Sequence, residues 1–122
     1  MAFKTRITEM FGVETPILMG GMTGVGYGEL VAAVAEAGAL GFITAHMFSS
    51  GAALKEEIDK VRGLTSKPFG VNLTLLPSIN PSPYDEYREA IIESGVTIVE
   101  TAGRAPTDHL PAFKEEIGRA HV

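Results

Sequence analysis

The 122-residue chain contains no cysteine and no tryptophan. Without thiols, disulfides, thiolate nucleophiles and cysteine-ligated metals are excluded, and a reducing compartment is the natural setting. Basic side chains are also few: ten Lys and Arg stand against fifteen Asp and Glu, giving a net charge of −5. They are scattered singly, so nothing supplies the clustered cations that neutralise nucleic-acid phosphates, and no nucleic-acid partner is expected. Long apolar runs are missing too. The longest, Leu30 to Leu40, is interrupted by Glu36 and is far short of a membrane span. The start, Met1 to Arg6, lacks the apolar core and small-residue cleavage site of a secretion signal, so no membrane partner and a cytoplasmic location are expected.

What the chain does have is glycine, fourteen of them, with seven prolines, placed between apolar runs rather than within them. Pro16 to Met19 reads as a buried strand closed by Gly20 and Gly21. Gly28 to Gly38 has Leu30, Val31, Val34 and Ala37 at helical spacing, with alanines that permit close packing on a sheet. Leu40 to Thr44 is a strand without polar alternation, so both faces should be covered. Leu54, Ile58 and Val61 define one face of a second helix. Its solvent face carries Lys55, Glu56, Glu57, Asp59 and Lys60, with Glu56 and Lys60 as an i,i+4 pair. Phe69 to Leu75 is the third strand. Ser82 is the expected N-cap of the next helix, with Pro83 first inside it and Tyr87, Ala90, Ile91 and Ser94 facing inward. Val96 to Thr101 reads as the fourth strand, and Pro106 to Lys114 as a further helix opened by Thr107 or Asp108.

Strands alternating with helices of ten or more residues predict parallel pairing through right-handed crossovers. The fold class is therefore α/β with four parallel βα units, the first half of a (β/α)8 TIM barrel that needs about 250 residues when complete. A four-stranded open sheet is the rival arrangement.

In such folds chemistry gathers at the carboxyl ends of the strands. The glycine-rich loop Gly20 to Gly26 does not fit a P-loop, because Tyr27 follows Gly26, nor a dinucleotide fingerprint, whose last glycine is replaced by Glu29. A loop approaching a flat ligand and a plain tight turn both remain open readings. Asn72 and Thr74 point to the same side of their strand and need partners, either from a ligand or from neighbouring strands. Glu100 can serve as an acid, a base or a structural acceptor. His46 and His109 show no metal-ligand spacing and read as loop or surface histidines, so no metal ligand and no catalytic residue is assigned.

The strings PILMGGM (from Pro16), AGALGF (from Ala37), KPFGVNLTLLP (from Lys67) and VETAG (from Val99) resemble nitronate monooxygenases, from about Thr5 to Lys114. A class of bacterial enoyl reductases shares the first two strings more loosely. The resemblance implies an FMN-binding barrel that oxidises alkyl nitronates with O2 to a carbonyl compound and nitrite. It implies that Gly21, Met22 and Thr23 line the flavin through the first loop and that Asn72 and Thr74 approach it from the third strand. Many relatives carry Gln in place of Thr23, so the backbone there carries over better than the side chain. The family's catalytic histidine and FMN phosphate site belong to later strands, so this chain alone is expected to be inactive. Residues 1–115 are expected to form the amino-terminal half of the barrel. Residues 116–122 spell a heptapeptide that a run resembling a sequencing adapter would encode, and they are expected to be a non-native tail. Alternatives are an NAD(P)H-dependent flavin reductase of the enoyl reductase type and a non-catalytic half-barrel. Open edges at the first and fourth strands make a homodimer the expected partner state.

Overall fold

The computed structural model describes residues 3–117. Its elements run α1 (Arg6–Phe11), β1 (Leu18–Met19), α2 (Gly28–Glu36), β2 (Leu40–Thr44), a short 3-10 turn (Ala45–Met47), α3 (Gly51–Leu64), β3 (Gly70–Leu75), α4 (Tyr84–Glu93), β4 (Val99–Gly103) and α5 (Leu110–Ile117). The four strands form one sheet in the order β1-β2-β3-β4, every pair parallel. This is the expected half-barrel, four βα units in sequence order. Residues 118–122, most of the expected tail, lie outside the described residues, and α5 continues through Glu116 and Ile117.

Alternation along the strands sorts the core into two parts. Ile43, Val71 and Leu73 face the helices, where Val31 and Ala32 of α2, Leu54, Ile58 and Val61 of α3, and Tyr87, Ala90 and Ile91 of α4 meet them. Leu40 and Phe42 face the other way, packing with Val13, Phe11 and Ile98 on the inner face of the half-barrel. Beside them a cleft of about 620 Å³ follows β4, lined by Phe11, Leu18, Phe42, Ile98, Leu110 and Phe113 among others.

Several boundaries differ from the sequence expectation. Helix α1 was not expected at all; Thr5 and Thr8 close a capping box at its start, each hydroxyl accepting the other's amide N–H at 3.2 and 2.9 Å. Strand β4 starts at Val99 rather than Val96. Gly95, at φ 70°, and the Val96 N–H bonded to the Ile91 carbonyl wrap the end of α4, so Val96 is buried as part of the helix cap. Ser82 does not cap α4: Pro83 holds that place and no side chain caps it. Instead the Tyr84 hydroxyl donates to the Thr74 carbonyl at 3.0 Å and accepts the Leu76 N–H at 3.2 Å, tying the helix start to the end of β3. The last helix begins at Leu110, because the Pro106 carbonyl first accepts the N–H groups of His109 and Leu110 in a preceding turn.

The helix surfaces also pair differently. Lys60 reaches Glu29 of α2 and Glu57, at 2.5 and 3.6 Å, rather than Glu56. Glu57 does not face water; its Oε1 accepts the N–H of Gly28, the first residue of α2, at 2.6 Å. Glu86 of α4 does the same for Gly51, the first residue of α3, at 3.0 Å. Each of these two helix starts therefore receives a carboxylate from the helix that follows, where backbone N–H groups lack partners and the helix dipole favours negative charge. His109 is buried as well, at 6% exposure, with Nδ1 3.1 Å from an Arg88 guanidinium nitrogen.

Candidate functional site

Strand register builds the site. Thr44 pairs with Asn72 and Asn72 with Glu100, so three polar side chains lie in one row across β2, β3 and β4. Phe42, one inward-facing position earlier on β2, lies in the apolar layer with Leu40 and Ile98. The inner face thus changes from apolar to polar within one step of the strand period, at the carboxyl ends.

Hydrogen bonds join Asn72 to Glu100 and tie both ends of the row to the glycine loop. Glu100 Oε2 accepts from Asn72 Nδ2 at 2.7 Å and from the Gly21 N–H at 2.9 Å. Asn72 is only 2% exposed, and its Oδ1 accepts from the Thr74 hydroxyl at 2.7 Å. These bonds set which end of the carboxamide faces which way. Thr44 Oγ1 accepts the Met22 N–H at 2.8 Å and donates to the Met22 carbonyl at 3.2 Å. Farther out, Thr23 Oγ1 lies 2.8 Å from His46 Nε2, and the Gly24 N–H meets the Met47 sulfur at 2.8 Å.

Gly21, Met22, Thr23, Asn72 and Thr74 are therefore brought to the same end of the sheet. Of the two open readings for Asn72 and Thr74, the neighbouring strand does supply a partner to Asn72, through Glu100, while Thr74 bonds to Asn72 on its own strand. The glycine loop owes its composition to the same row: a Cβ on Gly21 would overlap the Asn72 carboxamide, and one on Gly26 would overlap the Thr44 hydroxyl. The amides of Gly21, Met22, Gly24, Val25 and Gly26 all donate to groups within the chain. The loop is consequently no open cradle for a phosphate. It presents the half-exposed Met22 side chain (40%) and the Thr23 hydroxyl outward, which suits the face of a planar ring.

Sequence reasoning left Thr44 out and set His46 aside. Thr44 is the one polar residue in an otherwise apolar strand, and its register with Asn72 is the signal that marks it. Among the described residues no group of three or more His, Cys, Asp or Glu side chains could hold a metal, and no helix is long and apolar enough to cross a membrane.

Four parallel βα units with a polar row at the strand tips define the first half of a (β/α)8 barrel whose chemistry faces the carboxyl ends. The chain belongs to the nitronate monooxygenase family, whose model matches residues 4–116. It is 45% identical over 73 residues to a protein of Staphylococcus haemolyticus named "Probable nitronate monooxygenase", an alignment covering 60% of this chain and 20% of the relative. FabK from Thermotoga maritima has a similar structure, with a TM-score of 0.83, 38% identity, and coverage of 94% of this chain and 35% of that one. A nitroalkane oxidase from Streptomyces ansochromogenes, 24% identical with a TM-score of 0.75, covers 93% of this chain and 40% of that one, and shares the fold. The chain spans about a fifth of the length of the Staphylococcus relative.

Proposed function

We propose that these residues form one wall of an FMN site in an enzyme that oxidises alkyl nitronates with O2. The observation that carries this reading is the row Thr44–Asn72–Glu100, in register across three strands and hydrogen-bonded at both ends to the glycine loop, in a chain of this family. FMN would supply the electron-accepting ring that lets a nitronate become a carbonyl compound and nitrite. The chain's own residues bind and orient. Met22 offers apolar contact, the loop backbone permits close approach, and Asn72 is held with one amide hydrogen beyond that given to Glu100. Thr44 fixes the Met22 peptide, and Thr74 keeps the Asn72 carboxamide from turning. Because five of the loop amides are engaged within the chain, the FMN phosphate would be held by residues outside this loop.

As a separate 122-residue chain, the protein is proposed to bind the ring without sustained turnover. Its proposed partner in that state is a second copy, meeting it along the edges of β1 and β4. The test measures oxygen uptake with propionate 3-nitronate and NADH oxidation with an enoyl thioester, on this chain and on a protein carrying it within a complete barrel. Nitronate-dependent uptake by the complete barrel alone is expected. NADH oxidation in place of uptake would favour the flavin reductase reading, and rapid nitronate oxidation by the short chain would overturn the expectation of inactivity.

A further inference from the structure

The Thr23–His46 pair belongs to neither the sheet nor the core. His46 sits in the 3-10 turn after β2, and its Nε2 lies 2.8 Å from the Thr23 hydroxyl at the tip of the first loop. Its other ring nitrogen, Nδ1, is buried and has no hydrogen-bond partner among the described residues. A neutral imidazole has one N–H and one lone pair. If Nδ1 held the proton, a buried donor would be orphaned, which native structures tolerate less often than an orphaned acceptor. The proton therefore belongs on Nε2, donating to Thr23 Oγ1. Thr23 then accepts from His46, and its own hydroxyl hydrogen is released from the pair.

We infer that His46 is a positioning residue which turns the Thr23 hydroxyl into an outward-facing donor for a carbonyl oxygen or ring nitrogen of a planar heteroaromatic ligand. Two observations converge on this role. The amides of Gly21, Met22 and Gly24 are already donated to Glu100, Thr44 and Met47, and in the loop Gly20 to Gly26 this hydroxyl is the one side-chain donor. Thr23 is also exposed, on the side where the strand tips gather. The ligand half of the inference rests on the flavin reading; the hydroxyl's orientation does not.

Nitrogen-15 NMR of the imidazole side chains, recorded at about pH 8.5 where histidine is neutral, reads the tautomer directly in the wild-type chain. The expected result is Nε2–H at His46. Riboflavin, which lacks the phosphate, is then titrated by fluorescence quenching. Thr23→Val and His46→Ala should each weaken binding by about three- to tenfold, the worth of one hydrogen bond. Thr23→Ser and His46→Gln, whose side chains can keep the pattern, should retain it. The double variant should be no weaker than Thr23→Val alone. An Nδ1–H tautomer overturns the inference whatever riboflavin does, and so do additive losses in the double variant. The Nε2–H tautomer without riboflavin binding overturns the flavin reading and the ligand role, while the orientation of the hydroxyl stands.

Discussion

At the mouth of the sheet one carboxylate oxygen, Oε2 of Glu100, accepts both the Gly21 N–H and the nearly buried Asn72 carboxamide. Removing it leaves two donors without partners, and an unsatisfied buried donor costs about 1–3 kcal/mol. Glu100→Ala should therefore lower the unfolding free energy by about 2 kcal/mol, allowing for partial exposure. Glu100→Gln, which keeps an acceptor oxygen, should lose less. Denaturant midpoints at unchanged slope measure both, and an Ala variant as stable as wild type would show the bonds to be dispensable. A second residue-scale effect belongs to His109. Burial, then the positive charge of Arg88, lowers its pKa below the usual 6.5, and these outweigh the opposite pull of Asp85 and Asp108. The folded chain thus takes up this proton less readily than the unfolded chain does. Its contribution to stability is complete above 6.5 and is lost as pH falls from there through the lowered folded value. Urea midpoints should fall as pH drops below the ordinary histidine value of 6.5, and His109→Gln should flatten that slope.

Among the elements, α2 and α3 each begin at a glycine whose N–H is taken by a glutamate one helix further on. Glu57 is the more enclosed of the two acceptors, and Glu57→Ala should cost about 1 kcal/mol. Hydrogen exchange should quicken first at the start of α2; unchanged protection there would rule the capping role out. This pairing also shows what the sequence could and could not reveal. The alternation of strands and helices, the parallel order and the apolar faces were legible, because periods of two and 3.6 are local. The gathering of Gly21, Asn72 and Thr74 at the strand tips followed from that topology together with the family resemblance. Glu57 as a cap was not legible: its spacing from Gly28 depends on how α3 packs against α2, and on its own helix it reads as one more surface charge. Thr44 and His46 were missed for a related reason. Their partners, Met22 and Thr23, lie more than twenty residues away, across a crossover. The start of β4 was misplaced because Val96 is apolar for the sake of a helix cap.

The whole molecule ends at two strand edges that have no neighbour among the described residues, β1 and β4. Apolar side chains crowd the β1 side, with Met10, Ile17 and Leu18 each exposed by more than two fifths, and the cleft beside β4 is lined by further apolar groups. Such edges template pairing with other chains. The purified chain should therefore sediment above its 12.9 kDa monomer mass, increasingly so with concentration. Leu18→Lys, placing a charge on the β1 edge, should shift it toward monomer; a wild-type chain monomeric across a wide concentration range would oppose this. The borrowed carboxylates have a consequence of another kind. During synthesis the glutamate that secures α2 emerges twenty-nine residues after the glycine it holds, and that for α3 thirty-five after. A nascent chain therefore fastens those two units only once the next has left the ribosome, so its newest stretch stays loose while the older part is already locked.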